Sequence, residues 1–488
     1  MKTMSTSARS AALSSTDLQT LRASLKGRAF LPGDDGYDAA RQTWSVTTFE
    51  QRPAVVVMPS VAADVARAVG FAREHDLPIA VQGGGHGHPR PADEALLVNF
   101  AHMSSVHVTP SPTSQPAGPS GAAGTARTDA GARWREVVAA AHPHGLAPLN
   151  GFAGTVGVCG YMLGGGIGWL VRRYGAAAGS LRSAELVTAD GRQLRVDDRH
   201  HPDLLWGLRG GGGNFGVVTS LEFDLYPVKQ IFGGLVAYPL AHARQALSAY
   251  AHWTTTVPET LTSAVRLVHY PPAPAIPEPL RGASAVVIMA CHTGSPAEGE
   301  ALVQPLRSIG SPLLDTFRSM PYAEVATIAN DPPEAPPLFT FTTGEGLRDL
   351  SAEVIETMLR VAGDRAAGIF VVEVRHVGGA VARQPDAAMP FRLRSPWFVG
   401  VLATAPTPQA LEGGRRSVGA LLEALKPALT GEVLINSLDA GSTSPALVRA
   451  AYSEENYRRL VTLKDEYDPA NVFRFNHNIA PSTVAATP

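Results

Sequence analysis

The sequence predicts an α+β protein of two or more domains, with glycine-rich loops in its N-terminal half shaped to hold a ligand. Three observations carry this expectation. The chain has 488 residues, more than a single hydrophobic core usually serves. Apolar, β-branched runs alternate with helical periodicity, and the texture changes near residue 232, beyond which proline-rich connections separate some of the elements. Glycines crowd into two segments, Val81-Gln82-Gly83-Gly84-Gly85-His86-Gly87-His88-Pro89 and the run from Gly154 to Trp169. Glycine serves where a backbone must approach a ligand closely or take positive φ. Successive exposed N–H groups in such loops form concavities suited to phosphate. Two such loops, one carrying a histidine, point to a large phosphate-bearing cofactor with its reactive ring near His86.

Taken in order, residues 1–20 read as a mobile leader. Residues 53–58 suit a buried strand, and 61–75 follow as an amphipathic helix with Val61, Val65, Ala68, Val69 and Ala72 on one face. A strand at 79–82 delivers the chain into the first glycine loop, and short strands are expected at 96–100 and 106–108. Residues 110–123 are low-complexity and read as an exposed loop. A helix at 133–144 leads to the second glycine segment. Runs at 184–189 and 192–196, joined by Asp190-Gly191, form the clearest hairpin. A short helix at 202–208 enters Arg209-Gly210-Gly211-Gly212-Gly213-Asn214-Phe215-Gly216, and a strand at 217–226 leaves it. Farther on, strand-like runs at 285–290, 368–374 and 397–403 alternate with helices at 241–254 and 411–425, which implies a second α+β domain with its own sheet. The C-terminal residues, with Tyr457 and Asp468-Pro469-Ala470-Asn471-Val472-Phe473, return to a helix-then-turn pattern.

Composition narrows the classes. Hydrophobic residues make up 45% and charged residues 17% of the chain, as in a globular enzyme. A net charge of -2 gives no electrostatic reason to expect nucleic acid or an anionic membrane as partner. No apolar run approaches the length of a transmembrane helix, and the N-terminus lacks a secretory h-region. A cytoplasmic enzyme is the default expectation. Two cysteines, Cys159 and Cys291, are too few for a disulfide framework or a cysteine-rich zinc site.

The motifs divide into weak and strong. Residues 211–216 satisfy the G-x-G-x-x-G pattern, but a helix precedes them and a strand follows, the reverse of a dinucleotide fingerprint. His86, His88, His102, His107, His142 and His144 fall on separate elements without an HExxH pattern, so no metal site is expected. His86 stands apart because Gly83, Gly84, Gly85 and Gly87 leave its surroundings bare. Cys159 has no basic sequence neighbour to lower its pKa and reads as a small buried hydrophobe, as does Cys291.

Taken together, these segments resemble the berberine-bridge-enzyme-like branch of FAD-linked oxidases, within the vanillyl-alcohol oxidase superfamily with its PCMH-type FAD domain. The likeness begins at Leu31-Pro32-Gly33-Asp34-Asp35-Gly36-Tyr37 and takes in the first glycine loop, Leu163 to Trp169 and Asp203-Leu204-Leu205-Trp206-Gly207-Leu208-Arg209-Gly210. It ends at Glu455-Asn456-Tyr457 and Asn476-His477-Asn478-Ile479. The resemblance implies a two-subdomain FAD-binding domain over 28–230, with its PCMH-type core at about 48–228. After the leader 1–27, it further implies an α+β substrate domain with an antiparallel sheet over 231–430, and a C-terminal segment, 431–488, completing the FAD domain. It also implies FAD bonded covalently to His86. Gly83, Gly84, Gly85, Gly87, Thr155, Gly157, Val158 and Gly160 would hold the pyrophosphate and ring. Val217 and Val218 would contact the adenine-ribose side, and Asn476 or Asn478 the ring system.

Departures from the family pattern fall on the catalytic side. Doubly linked members carry a cysteine where Ala153 stands, so a single linkage through His86 is expected. Leu434 and Ile167 occupy positions often held by tyrosines, and Gly179-Ser180 replaces a usual Asp-Asn pair. The resemblance implies an oxidase that moves a hydride from a small organic or natural-product substrate to flavin N5, with O2 as acceptor and H2O2 as product. A redox-neutral cyclase or isomerase on the same scaffold is the alternative. A proton acceptor is sought in Val372-Glu373-Val374-Arg375-His376, a strand that in similar proteins lines the pocket. Alternation puts Glu373 and Arg375 on one face, Val374 and His376 on the other. If the first face meets the flavin, the arginine holds the carboxylate ionised and weakens it as a base. If the second does, His376 accepts a proton near neutral pH. A remote Glu373–Arg375 ion pair is the structural alternative. His376 is the favoured base and Glu373 the second candidate; the substrate and the oligomeric state stay open.

Overall fold

The computed structural model describes residues 13–45, 50–87, 90–112, 121–332, 334, 336–385, 387–438 and 444–485. His88, the start of the expected leader and residues 113–120 of the low-complexity segment lie outside these.

Three sheets organise the chain. The first contains β1 (Arg28–Phe30), β2 (Val55–Met58), β3 (Ile79–Gln82) and β4 (Leu96–Asn99), in the order β1-β2-β4-β3. β2 and β3 run parallel to β4, and β1 is antiparallel to β2. Every residue of β2 and β4 is buried, as in parallel strands covered on both faces. The helix Ala62–Glu74 connects β2 to β3 and buries Val65, Ala68, Val69 and Ala72. The expected leader is corrected in part, because Ser15–Ser24 is a helix. Ser14 and Asp17 close a capping box at its start, and Leu21 is buried in the core.

The second sheet is antiparallel, ordered β5-β6-β9-β7-β8, with β5 (Val106–Pro110), β6 (Gly124–Asp129), β7 (Leu181–Val187), β8 (Gln193–Val196) and β9 (Val217–Leu225). It contains the hairpin read from Asp190-Gly191. One hydrophobic core joins these first two sheets.

The third sheet has eight antiparallel strands: β10 (Gln230–Pro239), β11 (Leu261–His269), β12 (Ser284–His292), β13 (Leu314–Asp315), β14 (Arg318–Pro321), β15 (Phe339–Leu347), β16 (Ile369–His376) and β17 (Trp397–Ala405). The order is β13-β10-β12-β11-β16-β17-β15, with β14 also on β10. Its two faces are unlike. Val265, Val372, Val374, Trp397, Val399 and Val401 pack with the helices Ala243–Thr254, Pro296–Arg307, Ala352–Ala362 and Pro408–Leu425 into a separate core. Arg266, Glu373, Arg375, Phe398 and Gly400 alternate with these residues and occupy the opposite face.

After the helix Glu454–Tyr467, the chain returns to the N-terminal sheets. Ile79 N donates to Val472 O at 3.1 Å, and Ile479 N donates to Asn214 Oδ1 at 2.9 Å. Among the described residues, no helix is long and apolar enough to cross a membrane.

Candidate functional site

β3 runs straight into the first glycine loop, where Gly85 takes φ +74°, a conformation that costs glycine nothing. The second loop precedes the helix Val158–Leu163. The two loops touch. A Cβ on Gly84 would lie 2.5 Å from Gly157 N, and one on Gly157 would lie 2.6 Å from Gly84 N. His86 stands beside this contact, its Nε2 3.0 Å from Thr155 Oγ1. Its ring stacks on Trp44 with centroids 4.1 Å apart, and Trp44 N donates to Gly85 O at 2.9 Å.

A cavity of about 550 Å³ opens from these loops. Gly83 to Gly87, Gly157, Gly160, Gly212, Gly213 and Val218 form one wall, and Phe473, Phe475, Asn476 and His477 another. The third sheet closes it with Thr342, Thr343, Arg375, Phe398 and Gly400, joined by Asp331 and by Leu434 to Leu438. Buried Lys464 fixes two of these walls. Its Nζ donates to Asn214 O at 2.9 Å, to Phe473 O at 3.2 Å and to Asp468 Oδ2 at 2.6 Å. Asn436 lines the opening and donates from Nδ2 to Tyr161 O at 2.9 Å.

The sequence-predicted cofactor residues come together unequally. Gly83, Gly84, Gly85, His86, Gly87, Gly157, Gly160, Val218 and Asn476 line the cavity, and Thr155 reaches it through His86. Val158 does not serve as a backbone donor, because its N–H is spent on Ala132 O at 2.9 Å. Val217 is buried in the core beside Val218; strand alternation turns neighbouring residues to opposite faces. Asn478 is not a lining residue, although its Oδ1 is buried with no partner among the described residues.

The catalytic expectations need correction. His376 lies on the helix-facing side of β16, its ring 5.0 Å from that of Trp397. Burial and then the charge of Arg172 push its pKa down to about 3, so it neither reaches the cavity nor accepts a proton near neutrality. Glu373 is on the cavity-facing side but spent in ion pairs with Arg266 and Arg375. Burial alone would raise its pKa; the two guanidiniums overcome this and hold it at about 2.

Sequence reasoning missed Phe152, Tyr161, Asp331, Phe398 and His477 as lining residues. Cys159 also lines the cavity, yet burial pushes its thiol up to about 12, so it remains the unreactive thiol expected. Alternation along β17 would have paired Phe398 with Arg375, once the face was known.

The residues fit an extended nucleotide cofactor. The loop contact leaves no room for a Cβ at Gly84 or Gly157. Among the described residues, Asn476 Oδ1 and His477 Nε2 are buried without partners where the tail meets the cavity, polar atoms that a bound group would satisfy. Fold and site thus define a protein that holds a phosphate-bearing cofactor between glycine loops, with a separate antiparallel sheet over its far end. Residues 53–197 match the FAD binding domain family, and residues 436–480 match the berberine and berberine-like family. The (R)-6-hydroxynicotine oxidase of Paenarthrobacter nicotinovorans is 30% identical over 476 residues, covering 94% of this chain and 97% of that protein. An FAD-linked oxidoreductase of Dictyostelium discoideum is 28% identical, covering 94% and 95%. The crystal structure of 6-hydroxy-D-nicotine oxidase from Arthrobacter nicotinovorans superimposes with a TM-score of 0.80 at 27% identity, over 94% of this chain and 99% of that one. The chain belongs to the berberine-bridge-enzyme-like family of FAD-linked oxidoreductases.

Proposed function

We propose that the protein is an oxidase carrying FAD on His86 and acting on a small organic substrate, with O2 as acceptor. The observation that carries this reading is His86 itself, placed at the contact of the two glycine loops by Trp44 and Thr155. When bound, the flavin would supply a two-electron acceptor for a substrate hydride, with O2 as the terminal acceptor. The chain's residues do the remaining work. Thr155 and Trp44 hold the imidazole in one orientation, which favours attachment at one place. The glycine backbones would admit the cofactor's phosphates, and the Phe473–His477 tail would hold it from the other wall. Phe152, Phe398 and Leu434 exclude water from the substrate end. The redox-neutral alternative finds no support, since the close relatives carry the names of oxidases and oxidoreductases.

The tests need no substrate. Acid-denatured protein should stay yellow, and a His86→Ala variant should release its FAD. Photoreduced protein mixed with air-saturated buffer should reoxidise faster than free flavin and give one H2O2 per flavin. A flavin that washes out of the denatured wild type removes the covalent claim, and slow reoxidation removes the oxidase claim.

A further inference from the structure

The cavity face of the third sheet carries a line of alternating charge. Asp331 Oδ1 accepts from Arg266 Nη1 at 3.4 Å, Arg266 Nε donates to Glu373 Oε2, and Glu373 Oε1 accepts from Arg375 Nε. Both oxygens of Glu373 are therefore engaged. Arg375 is fixed a second way, its Cζ 4.3 Å from the centroid of Phe152. Phe152 in turn stacks on Trp169 at 3.9 Å, nearly parallel. Among the described residues, the two outer nitrogens of Arg375 have no hydrogen-bond partner, and Arg375 lines the cavity between Phe152 and Phe398. The result is a guanidinium whose inner edge and one face are immobilised while its outer edge meets the cavity.

We propose that Arg375 is the substrate anchor, taking an anionic oxygen on an aromatic substrate whose ring packs against Phe152 or Phe398. This rests on the oxidase reading of the same cavity. Arginine stays charged and presents a rigid fork of donors. A fork already held at its inner edge loses little freedom on binding a planar anion, and charged hydrogen bonds of this kind are roughly twice as strong as neutral ones. A neutral alcohol would take one donor in a weaker hydrogen bond and leave the other unused. The aromatic walls complete the selection, because a flat ring fills the space beside a stacked phenylalanine.

Benzoate and its neutral isostere benzamide separate the anion from the ring. Both are titrated into purified protein, read by calorimetry and by the visible difference spectrum of the flavin. Benzoate is expected to bind at least about tenfold more tightly than benzamide, the factor a charged hydrogen bond supplies. Arg375→Met should abolish the preference by weakening benzoate far more than benzamide, and Arg375→Lys should keep part of it. Equal binding of the two by wild type, no benzoate binding at millimolar concentration, or a preference that survives in Arg375→Met overturns the proposal. Should Arg375→Met fail to fold, an undiminished preference in Arg375→Lys does the same, since lysine keeps the charge but not the fork. A colourless wild-type protein sinks the flavin reading and leaves the calorimetric comparison standing, so the two failures are distinguishable.

Discussion

Replacing Lys464 by methionine tests how the C-terminal tail is fastened over the cofactor cavity. Lys464 and Asp468 are both fully buried. The ammonium satisfies the carbonyls of Asn214 and Phe473 along with the carboxylate, and Asp468 also accepts from Val472 N at 2.8 Å and Phe473 N at 2.9 Å. Methionine fills the volume but strands a buried carboxylate. Breaking such a pair by removing one partner costs about 3–5 kcal/mol. The two backbone donors that Asp468 retains place this case at the low end, about 3 kcal/mol. With an unfolding entropy of roughly 2.1 cal/mol/K per residue, a cooperative unit the size of this chain should lose about 3 °C of Tm. The tail and residues 212–213 both line the cavity, so FAD content should fall in parallel. Thermal unfolding by circular dichroism and flavin absorbance per mole of protein measure the two effects. The double variant Lys464→Met/Asp468→Asn should recover part of the loss, because the amide removes the unpaired charge. A single variant within 1 °C of wild type and with full flavin would refute the reasoning.

Three further outcomes are expected. The folded pKa of His376, about 3, lies below its unfolded value near 6.5, so the stability it contributes is present above pH 6.5 and is lost as pH falls toward 3. The loss is up to about 1.4 kcal/mol per pH unit. His376→Phe should flatten the fall of the urea midpoint between pH 6.5 and 4; His477, pushed by burial to about 4, supplies a remainder of the same sign, and an unchanged slope in the variant contradicts the assignment. Gly84→Ala places a Cβ 2.5 Å from Gly157 N and should abolish FAD binding with little change in the far-UV spectrum, whereas a variant that still binds FAD fully would show that the loop contact is not required. Peptide mapping of the wild type should find flavin on the His86 peptide alone, since Ala153 offers no nucleophile and the Cys159 thiol is held at about 12; flavin on the Cys159 peptide would overturn this.

The fold was legible where local pattern and burial agree. Residues 79–82, 202–208 and the 184–196 hairpin read correctly because turn chemistry and apolar runs mark both ends. The leader misread had a local cause: Ser14 and Asp17 cap a helix whose only fully buried contact is Leu21, too little for periodicity to show. His86 was legible because glycines surround it. The tail residue His477 and loop residue Asp331 were not, since what places them is the return of the chain across sheets far apart in sequence. The strand 369–376 shows the limit most clearly. Alternation assigned Glu373 and Arg375 to one face and His376 to the other, but no residue of the strand is fully exposed, with helices on one face and the cavity on the other. Nothing in a period of two says which is which.

That ambiguity resolves into a chemical consequence. Glu373 is an ion-pair carboxylate, His376 faces away, the Cys159 thiol is held at about 12, and burial pushes the phenol of Tyr161 upward. None of these accepts a proton near neutral pH. A substrate whose oxygen reaches Arg375 already ionised has no need of them. If that oxygen is conjugated with the reacting carbon, its own charge drives the loss of hydride, and the guanidinium, fixed by Glu373 and Phe152, selects the ionised form. The pH dependence of flavin reduction should then move with the substrate's pKa along a series of substituted phenols. A dependence fixed at one pH across the series would place a base in the protein and return the question to the cavity's remaining titratable groups.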